Sequence, residues 1–366
     1  MNAARDTGLP GAPTTVFEYA LRLHRLTPNE PLPRGGVLPR GLGRLRAGLP
    51  RDHTRAGVDA AAVLDMYFDH PRIPPRALAR RLAGLPAEYR HNEHISRAAR
   101  EAPAARVRET GRWLIRHGTD AGSVCIGLAL LAEAGTADDI PRIQTVGLLG
   151  NPFGSLAVGA LERLPGGVEA LIWLAERVTE WGRVHAVSAL CRRADDPAVV
   201  PWLLRRGTAE GNFLDSYVVD HIARVTVLHH AVVAHGDDAE VMDTTGRILR
   251  VMTYSEGMGT SLRHYPHALT VLEAYVRQVG RLGPTADRYV AATLVAAYLG
   301  KESPAWSDDP ALKARWDEAR ASYLALVDRT DWCATAREGL AAGDERLTWI
   351  AGEVAPALGL RAFRSL

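Results

Sequence analysis

Histidine side chains can bind a metal ion, and the spacing of the histidines in this chain indicates whether they are arranged to do so. His221, His229, His230 and His235 lie near one another in the sequence, with Asp220 beside the first. His221 and His229 are eight residues apart and would share a helix face, but no HExxH-type spacing and no carboxylate at i+4 completes a site. The pattern favours solvated or helix-capping histidines, so we predict no metal ligand.

Nucleophilic catalysis would need an activated cysteine or serine, and the sequence favours neither. Cys125 and Cys191 fall within apolar stretches, where a buried thiol behaves as a small hydrophobe. With Cys333 they form no CxxC pair, which indicates a reducing compartment rather than a disulfide framework or a structural zinc site. No GxSxG elbow is present. We therefore predict no catalytic residue and no cofactor, and the sequence favours a non-enzymatic role without deciding it.

The composition is that of a folded protein outside the membrane. Of 366 residues, 47% are apolar and 23% are charged, which argues against wholesale disorder. No stretch of about 18 uncharged apolar residues occurs, and the first residues lack the apolar core of a signal peptide. These features predict a cytoplasmic protein that makes no membrane contact.

Charge is distributed unevenly along the chain. Residues 1–118 hold 20 arginines against 11 acidic residues, whereas residues 119–366 hold 24 basic against 31 acidic residues. The arginines of residues 34–116 could form a cationic face for nucleic acid. Acidic residues are interspersed among them, and no aromatic residues alternate with them as in a stacking platform, so a solvated surface is favoured.

The elements that must position these residues are helices. Apolar spacing predicts helices over 14–26, 58–68 and 75–83, separated by a loop rich in proline, glycine and arginine at 27–55 and preceded by a disordered start. Further helices are predicted over 239–252, 261–282, 285–299, 310–328 and 347–358, with a loop near 301–309. No stretch alternates with the period of two that is typical of a strand.

Repeats are the strongest pattern in the sequence. The segment GSLAVGALERL at 154 aligns with GRVHAVSALCR at 182 when Ala157 and Leu161 are matched with Ala186 and Leu190, an offset of 29 residues. An earlier copy, SVCIGLALLAE at 123, places Leu128 on Val158 at an offset of 30 residues. Small residues at matched positions would let adjacent helices approach closely.

The segments between these copies repeat as well. Ala-Asp-Asp stands before a proline at 137–141 and again at 194–197, and the block Trp113 to Gly118 is echoed by Trp202 to Gly207. An acidic residue and a proline at a helix start, and a glycine at a helix end, are typical boundaries of short helices. Each unit is therefore predicted to be two helices joined by a turn, which must stack on neighbouring units to bury its apolar face.

These blocks resemble HEAT-like repeat proteins. The resemblance is carried by Trp181 to Ala186 and by Trp202 to Arg205 with Gly207, Asn212 and Tyr217. This combination is similar to a functionally uncharacterised bacterial subgroup, so the resemblance implies no particular mechanism. It is specific over 118–236 and looser towards Leu366. It implies an all-α fold, an α-solenoid of antiparallel helix pairs with a period of about 29–31 residues and an irregular N-terminal region rich in proline, glycine and arginine.

The resemblance and the patterns together predict three regions. Residues 1–103 form a basic N-terminal region, partly loop, with a few helices; residues 104–236 form the HEAT-like repeat array; and residues 237–366 form a C-terminal helical region that continues or caps the solenoid. The second helix of each pair usually lines the concave surface of a solenoid. Trp181 lies at the start of such a helix, where a structural cap is favoured over a ligand contact.

On that surface Val187 and Leu190 should point inward, which would place Arg183, His185 and Ser188 on the exposed side of the same helix. The predicted binding residues are therefore Trp181, Arg183, His185, Ser188, Asn212 and Tyr217. We predict a non-enzymatic scaffold whose partner is another protein bound at the concave face.

Two other activities occur on the same architecture. HEAT-like alkylpurine DNA glycosylases bind DNA with a carboxylate and aromatic residues near the lesion, for which Trp181, Trp202 and Asp215 are the candidates here. Nucleic acid would then be bound through the arginine-rich N-terminal region. Phycobilin lyases also contain short HEAT-like repeats, but the similarity is limited to the repeat unit.

Overall fold

The computed structural model describes residues 15–32, 38, 42, 57–83, 85–86, 88–304 and 309–364. These residues form helices, turns and loops, and no strand occurs among them. The predicted all-α class is thus confirmed. The predicted disordered start and most of the predicted loop at 27–55 lie outside the described residues.

The chain separates into two compact units, residues 1–190 and 191–366. The α-helices of the first are α1 Val16–Leu26, α2 Val58–Asp69, α3 Pro75–Leu82, α4 Glu93–Glu101, α5 Ala104–His117, α6 Ala121–Ala134, α7 Ile140–Gly147, α8 Gly154–Leu161, α9 Gly167–Ala175 and α10 Glu180–Arg192, the last of which ends just beyond the boundary.

The second unit continues with α11 Val199–Arg206, α12 Val219–Val225, α13 Leu228–Ala234, α14 Ala239–Met252, α15 Ala268–Leu282, α16 Ala286–Leu299, α17 Pro310–Val327, α18 Thr330–Ala341, α19 Glu345–Trp349 and α20 Ala355–Leu358. Within the described chain, no helix is both long enough and apolar enough to cross a bilayer.

Side-chain caps explain where several helices begin. The Thr15 hydroxyl accepts a hydrogen bond from the Glu18 amide at 3.1 Å. Asn92 and Asp120 cap α4 and α6 in the same way. Such caps satisfy amide groups that have no partner within the helix, and each contributes about 1 kcal/mol.

Helices of unit 1 pack in two interleaved series. Contacts link α2 to α4, α4 to α6 and α6 to α8, while others link α5 to α7 and α7 to α9; α5 also packs on α6, and α7 on α8. Buried residues of α2, α3 and α4 form one hydrophobic cluster with residues of α5 and α6. The first helix, α1, packs on α5 and α7.

Glycines allow α5 and α6 to approach closely. A β-carbon at Gly127 would lie 3.1 Å from the carbonyl oxygen of Gly111 and 3.0 Å from the side chains of Leu114 and Ile115. Larger residues there would force the helices apart.

The repeats identified in the sequence coincide with α6, α8 and α10. Matched positions are equally buried: Leu128, Val158 and Val187 are all in the core, as are Leu131, Leu161 and Leu190. The two Trp-to-Gly blocks likewise end α5 and α11, where the Gly118 amide bonds to Leu114 and the Gly207 amide bonds to Leu203. Similar sequence at this spacing therefore produces similar burial and similar helix ends.

Two predicted helices of unit 2 differ from the structure. The helix predicted over 261–282 begins at Ala268, because Pro266 keeps Tyr265 in an extended conformation. The helix predicted over 347–358 begins at Glu345 and contains a π-helical turn at Ile350–Val354. Pro356 follows that turn and cannot donate the hydrogen bond of a regular α-helix.

Candidate functional site

The structure places four of the predicted binding residues on α10 in unit 1. Trp181 is exposed, and its ring lies 6.1 Å from that of His185 with the planes tilted by 32°. His185 and Ser188 are half-buried, while Val187 and Leu190 are fully buried, as predicted.

The prediction that Arg183 is exposed is wrong. Its side chain is only 7% exposed, and Nη1 donates a hydrogen bond of 2.6 Å to the carbonyl oxygen of Ala175, the last residue of α9. A carbonyl in the last turn of a helix has no partner within the helix, so Arg183 stabilises that end. The repeat alignment is consistent with this burial, because Arg183 aligns with Gly154, which is also buried.

We expect Arg183→Ala to lower the free energy of unfolding by about 1 to 3 kcal/mol, because it leaves a buried carbonyl without its donor. Chemical denaturation of the whole chain would measure the change. Arg25→Ala, at an exposed position on α1, is the matched control and should change stability by less than about 0.5 kcal/mol. Equal, small effects of both substitutions would contradict the structural role of Arg183.

The other two predicted residues lie in unit 2, on the turn formed by residues 210–217. Asn212 is half-buried, and its amide donates to Oδ1 of Asp215 at 2.6 Å. Oδ2 of Asp215 accepts a hydrogen bond from the Ala209 amide at 2.8 Å. Asn212 and Asp215 therefore stabilise the turn. Asp215, the carboxylate named above for the DNA glycosylase alternative, is buried. Tyr217, at the end of the turn, is exposed.

Three exposed aromatic side chains of unit 2 are brought together by the fold; we call them the aromatic surface. Phe213, Tyr254 and Trp349 are 57%, 38% and 51% exposed. The rings of Phe213 and Tyr254 stack with centroids 5.8 Å apart and planes 7° from parallel. Tyr254 and Trp349 line one cavity of about 330 Å³, together with Val290 and Leu294 of α16. Sequence reasoning missed this surface because its members are far apart along the chain.

An ion-pair cluster fixes the turn that carries Phe213. The guanidinium of Arg346 pairs with Glu210 on the turn, with Asp287 of α16 at 2.7 Å and with Asp344 at 2.6 Å. These three carboxylates neutralise Arg346. Arg250, which lines the same cavity, forms no ion pair or hydrogen bond through its guanidinium with the residues that the structure describes.

A second cavity, of about 450 Å³, adjoins the first and shares Leu294 and Trp349 with it. The remaining lining residues are four with apolar side chains, Gly300, and five with polar or charged side chains: Ala297, Val354, Ala357, Leu358, Gly300, Thr253, Tyr298, Lys301, Arg320 and Glu353. The aromatic surface therefore continues into a pocket with cations at one side.

No protein-family model, curated protein or solved structure matches this chain. Its function therefore has to be inferred from its own residues.

Histidines also cluster in unit 2, though in a different set from the one singled out in the sequence. The ring of His229 stacks on that of His267 with centroids 3.7 Å apart, and the ring of His230 lies 4.3 Å from His229. In the part of the chain that the structure describes, no group of three or more His, Cys, Asp or Glu residues is placed to hold a metal ion.

Burial, and then the neighbouring His267 and His230, lower the pKa of His229 below its ordinary value of 6.5. The unfolded chain therefore binds a proton more readily than the folded chain. We expect the contribution of His229 to stability to be complete above pH 6.5 and to be lost as the pH falls below it. Urea midpoints measured from pH 8 to pH 5 would show this decline, and His267→Asn should make it shallower. An unchanged slope in that variant would contradict the coupling.

Proposed function

We propose that this chain is a non-enzymatic scaffold that binds another protein, with the aromatic surface of unit 2 as a principal contact. The observation that carries the proposal is the convergence of Phe213, Tyr254 and Trp349 on one exposed face. Tryptophan and tyrosine are enriched among the few residues that dominate binding energy in protein interfaces. Isolated exposed hydrophobic residues need no explanation, but a cluster around a cavity does.

The packing of unit 1 supports the architectural part of the proposal. Helices α2, α4, α6 and α8 contact one another in order, and α5, α7 and α9 form a second such row. Two parallel rows are what a HEAT-like solenoid of antiparallel helix pairs would produce. On this reading Trp181, His185, Ser188 and Tyr217 remain proposed contacts for the partner, whereas Arg183 and Asn212 support the fold.

Local charge favours a protein over nucleic acid at the aromatic surface. Five carboxylates, Glu210, Asp287, Asp344, Glu345 and Glu353, lie in or beside its cavities. Residues 191–366 hold 20 basic against 23 acidic side chains. Phosphate backbones are bound by an excess of cations, which this surface lacks. The remaining support for the DNA-binding alternative is the basic N-terminal region. Salt-dependent DNA binding by the whole chain would favour that alternative.

The proposal is tested by isolating a partner from the native host with the purified chain and then measuring its affinity for single-site variants. We expect Trp349→Ala to weaken binding by about 30-fold or more, the effect of an interface hot spot of at least 2 kcal/mol. The variant should unfold at nearly the wild-type denaturant concentration, because the side chain is half exposed.

Leu26→Ala, an exposed apolar residue outside the surface, is the control and should leave affinity unchanged. A partner that binds the Trp349 variant as tightly as the wild type would show that the aromatic surface is not the interface. Recovery of no specific partner would count against a protein-binding role altogether.

A further inference from the structure

We propose that the second cavity of unit 2 binds a hydrophobic carboxylate, a small molecule with an apolar body and one carboxylate group. Its volume of about 450 Å³ is within the range of small-molecule pockets, roughly 300 to 1,000 Å³. This ligand would be distinct from the protein partner proposed above.

The apolar part of the ligand would lie on α16, α19 and α20. Leu294 and Ala297 come from α16, Trp349 ends α19, and Ala357 and Leu358 belong to α20. Trp349 offers a broad apolar face at the junction of the two cavities. Burial of a hydrocarbon chain against such walls is favourable because apolar surface leaves water.

The carboxylate would be bound by Arg320 and Lys301, which lie on the same cavity. Arg320 is half-buried, and its Nε is buried without a hydrogen-bond partner among the described residues. The nearby Arg315, on the same helix, instead forms a bidentate pair with Glu273. A guanidinium binds a carboxylate through two parallel hydrogen bonds, and within the described chain no carboxylate pairs with Arg320 as Glu273 pairs with Arg315, so a carboxylate ligand would fit its guanidinium.

Gly300 creates the room that Arg320 occupies. A β-carbon at this position would lie 2.7 Å from Nε of Arg320, so any other residue would displace the guanidinium. Arg320 also lies beside the C-terminal end of α16, where a cation is stabilised by the helix dipole. If Arg320 only stabilised this helix end, neither the apolar cavity nor a second cation, Lys301, would be needed beside it.

The charged residues of the second cavity predict a preference for a ligand with an anionic head group. Glu353 is the one carboxylate among the residues that line this cavity, and it is outnumbered by Arg320 and Lys301. An amphiphile with a cationic head would face two like charges. A neutral head would leave the guanidinium unpaired.

Isothermal titration calorimetry of the full chain with decanoate and with decyltrimethylammonium, both below their micelle concentrations, tests the proposal. The two probes share an alkyl chain and differ in the sign of the head group. We expect decanoate to bind at least tenfold more tightly than the cation. Equal affinities, or no binding of decanoate, would overturn the proposal.

Arg320→Gln should weaken decanoate binding at least tenfold, whereas Arg315→Gln, on the same helix, should change it less than twofold. Lys301→Gln, at an exposed position, gives a second test that does not depend on the folding of the Arg320 variant, and it too should weaken decanoate binding. Unchanged affinity in both the Arg320 and Lys301 variants would overturn the assignment. Although Trp349 lies on both surfaces, the two proposals remain distinguishable, because the Arg320 and Lys301 variants leave Trp349 unchanged and are measured with decanoate, whereas Trp349→Ala is measured with a protein partner.

Discussion

Replacing Arg112 with methionine should lower the free energy of unfolding by about 3 to 5 kcal/mol, the cost of leaving a buried charge without its partner. Asp139 has no exposed surface. Its carboxylate accepts hydrogen bonds from Nε of Arg112 at 2.5 Å, from Nη2 at 3.1 Å and from the Thr136 amide at 2.9 Å. Methionine keeps most of the length of the side chain but donates neither of the Arg112 bonds, so the carboxylate would keep only Thr136 and the more distant Arg142, at 3.7 Å, and would either stay ionised with less compensation or take up a proton.

Burial alone would raise the pKa of Asp139, but the hydrogen bonds from Arg112 and Thr136 outweigh burial and hold it below its ordinary value of 3.8. The unfolded chain therefore binds the proton more readily. The stabilising contribution is complete above pH 3.8 and disappears as the pH falls through the lowered pKa. In the Arg112 variant this acid-dependent part of the stability should shrink.

Denaturant unfolding at pH 7 measures the effect of the Arg112 substitution. Arg97→Met is the matched control, since Arg97 pairs with Glu101 at 2.8 Å on an exposed helix face, and exposed pairs contribute about 0 to 1 kcal/mol. A loss below about 1 kcal/mol for Arg112→Met would show that the Arg112–Asp139 pair is dispensable.

Leu190→Ala is expected to cost about 2 to 5 kcal/mol through the cavity that it creates. Leu190 is fully buried on α10 and occupies the same repeat position as Leu161 of α8 and Leu131 of α6, both also fully buried. Thermal or chemical denaturation would detect the loss. Ser188→Ala, two residues earlier and half-buried, should cost far less. If the two variants unfold alike, Leu190 does not belong to the core that the repeats build.

The helices were predictable because their signals are local. Apolar spacing, caps such as Thr15 and stops such as Gly118 act within a few residues, and the 29-residue repeat gave independent support. The helix predicted from Ser261 begins only at Ala268, because Pro266 holds Tyr265 in an extended conformation.

The candidate site was less predictable because its determinants are tertiary. Arg183 follows the helical spacing of an exposed residue, yet the end of α9 provides a buried carbonyl that only the folded chain places beside it. Phe213, Tyr254 and Trp349 belong to a turn, a helix end and a short helix, and no sequence period relates them. Convergence of this kind is visible only after folding.

The ion-pair cluster at Arg346 would complicate any genetic search for the interface. Arg346 contacts Glu210 on the turn that carries Phe213, and also Asp287 and Asp344. A substitution at Arg346 would release that turn, and with it Phe213, without removing any aromatic side chain. In a screen for lost binding, variants of Arg346 would then be recovered together with variants of Phe213. The screen would therefore also identify residues that do not contact the partner.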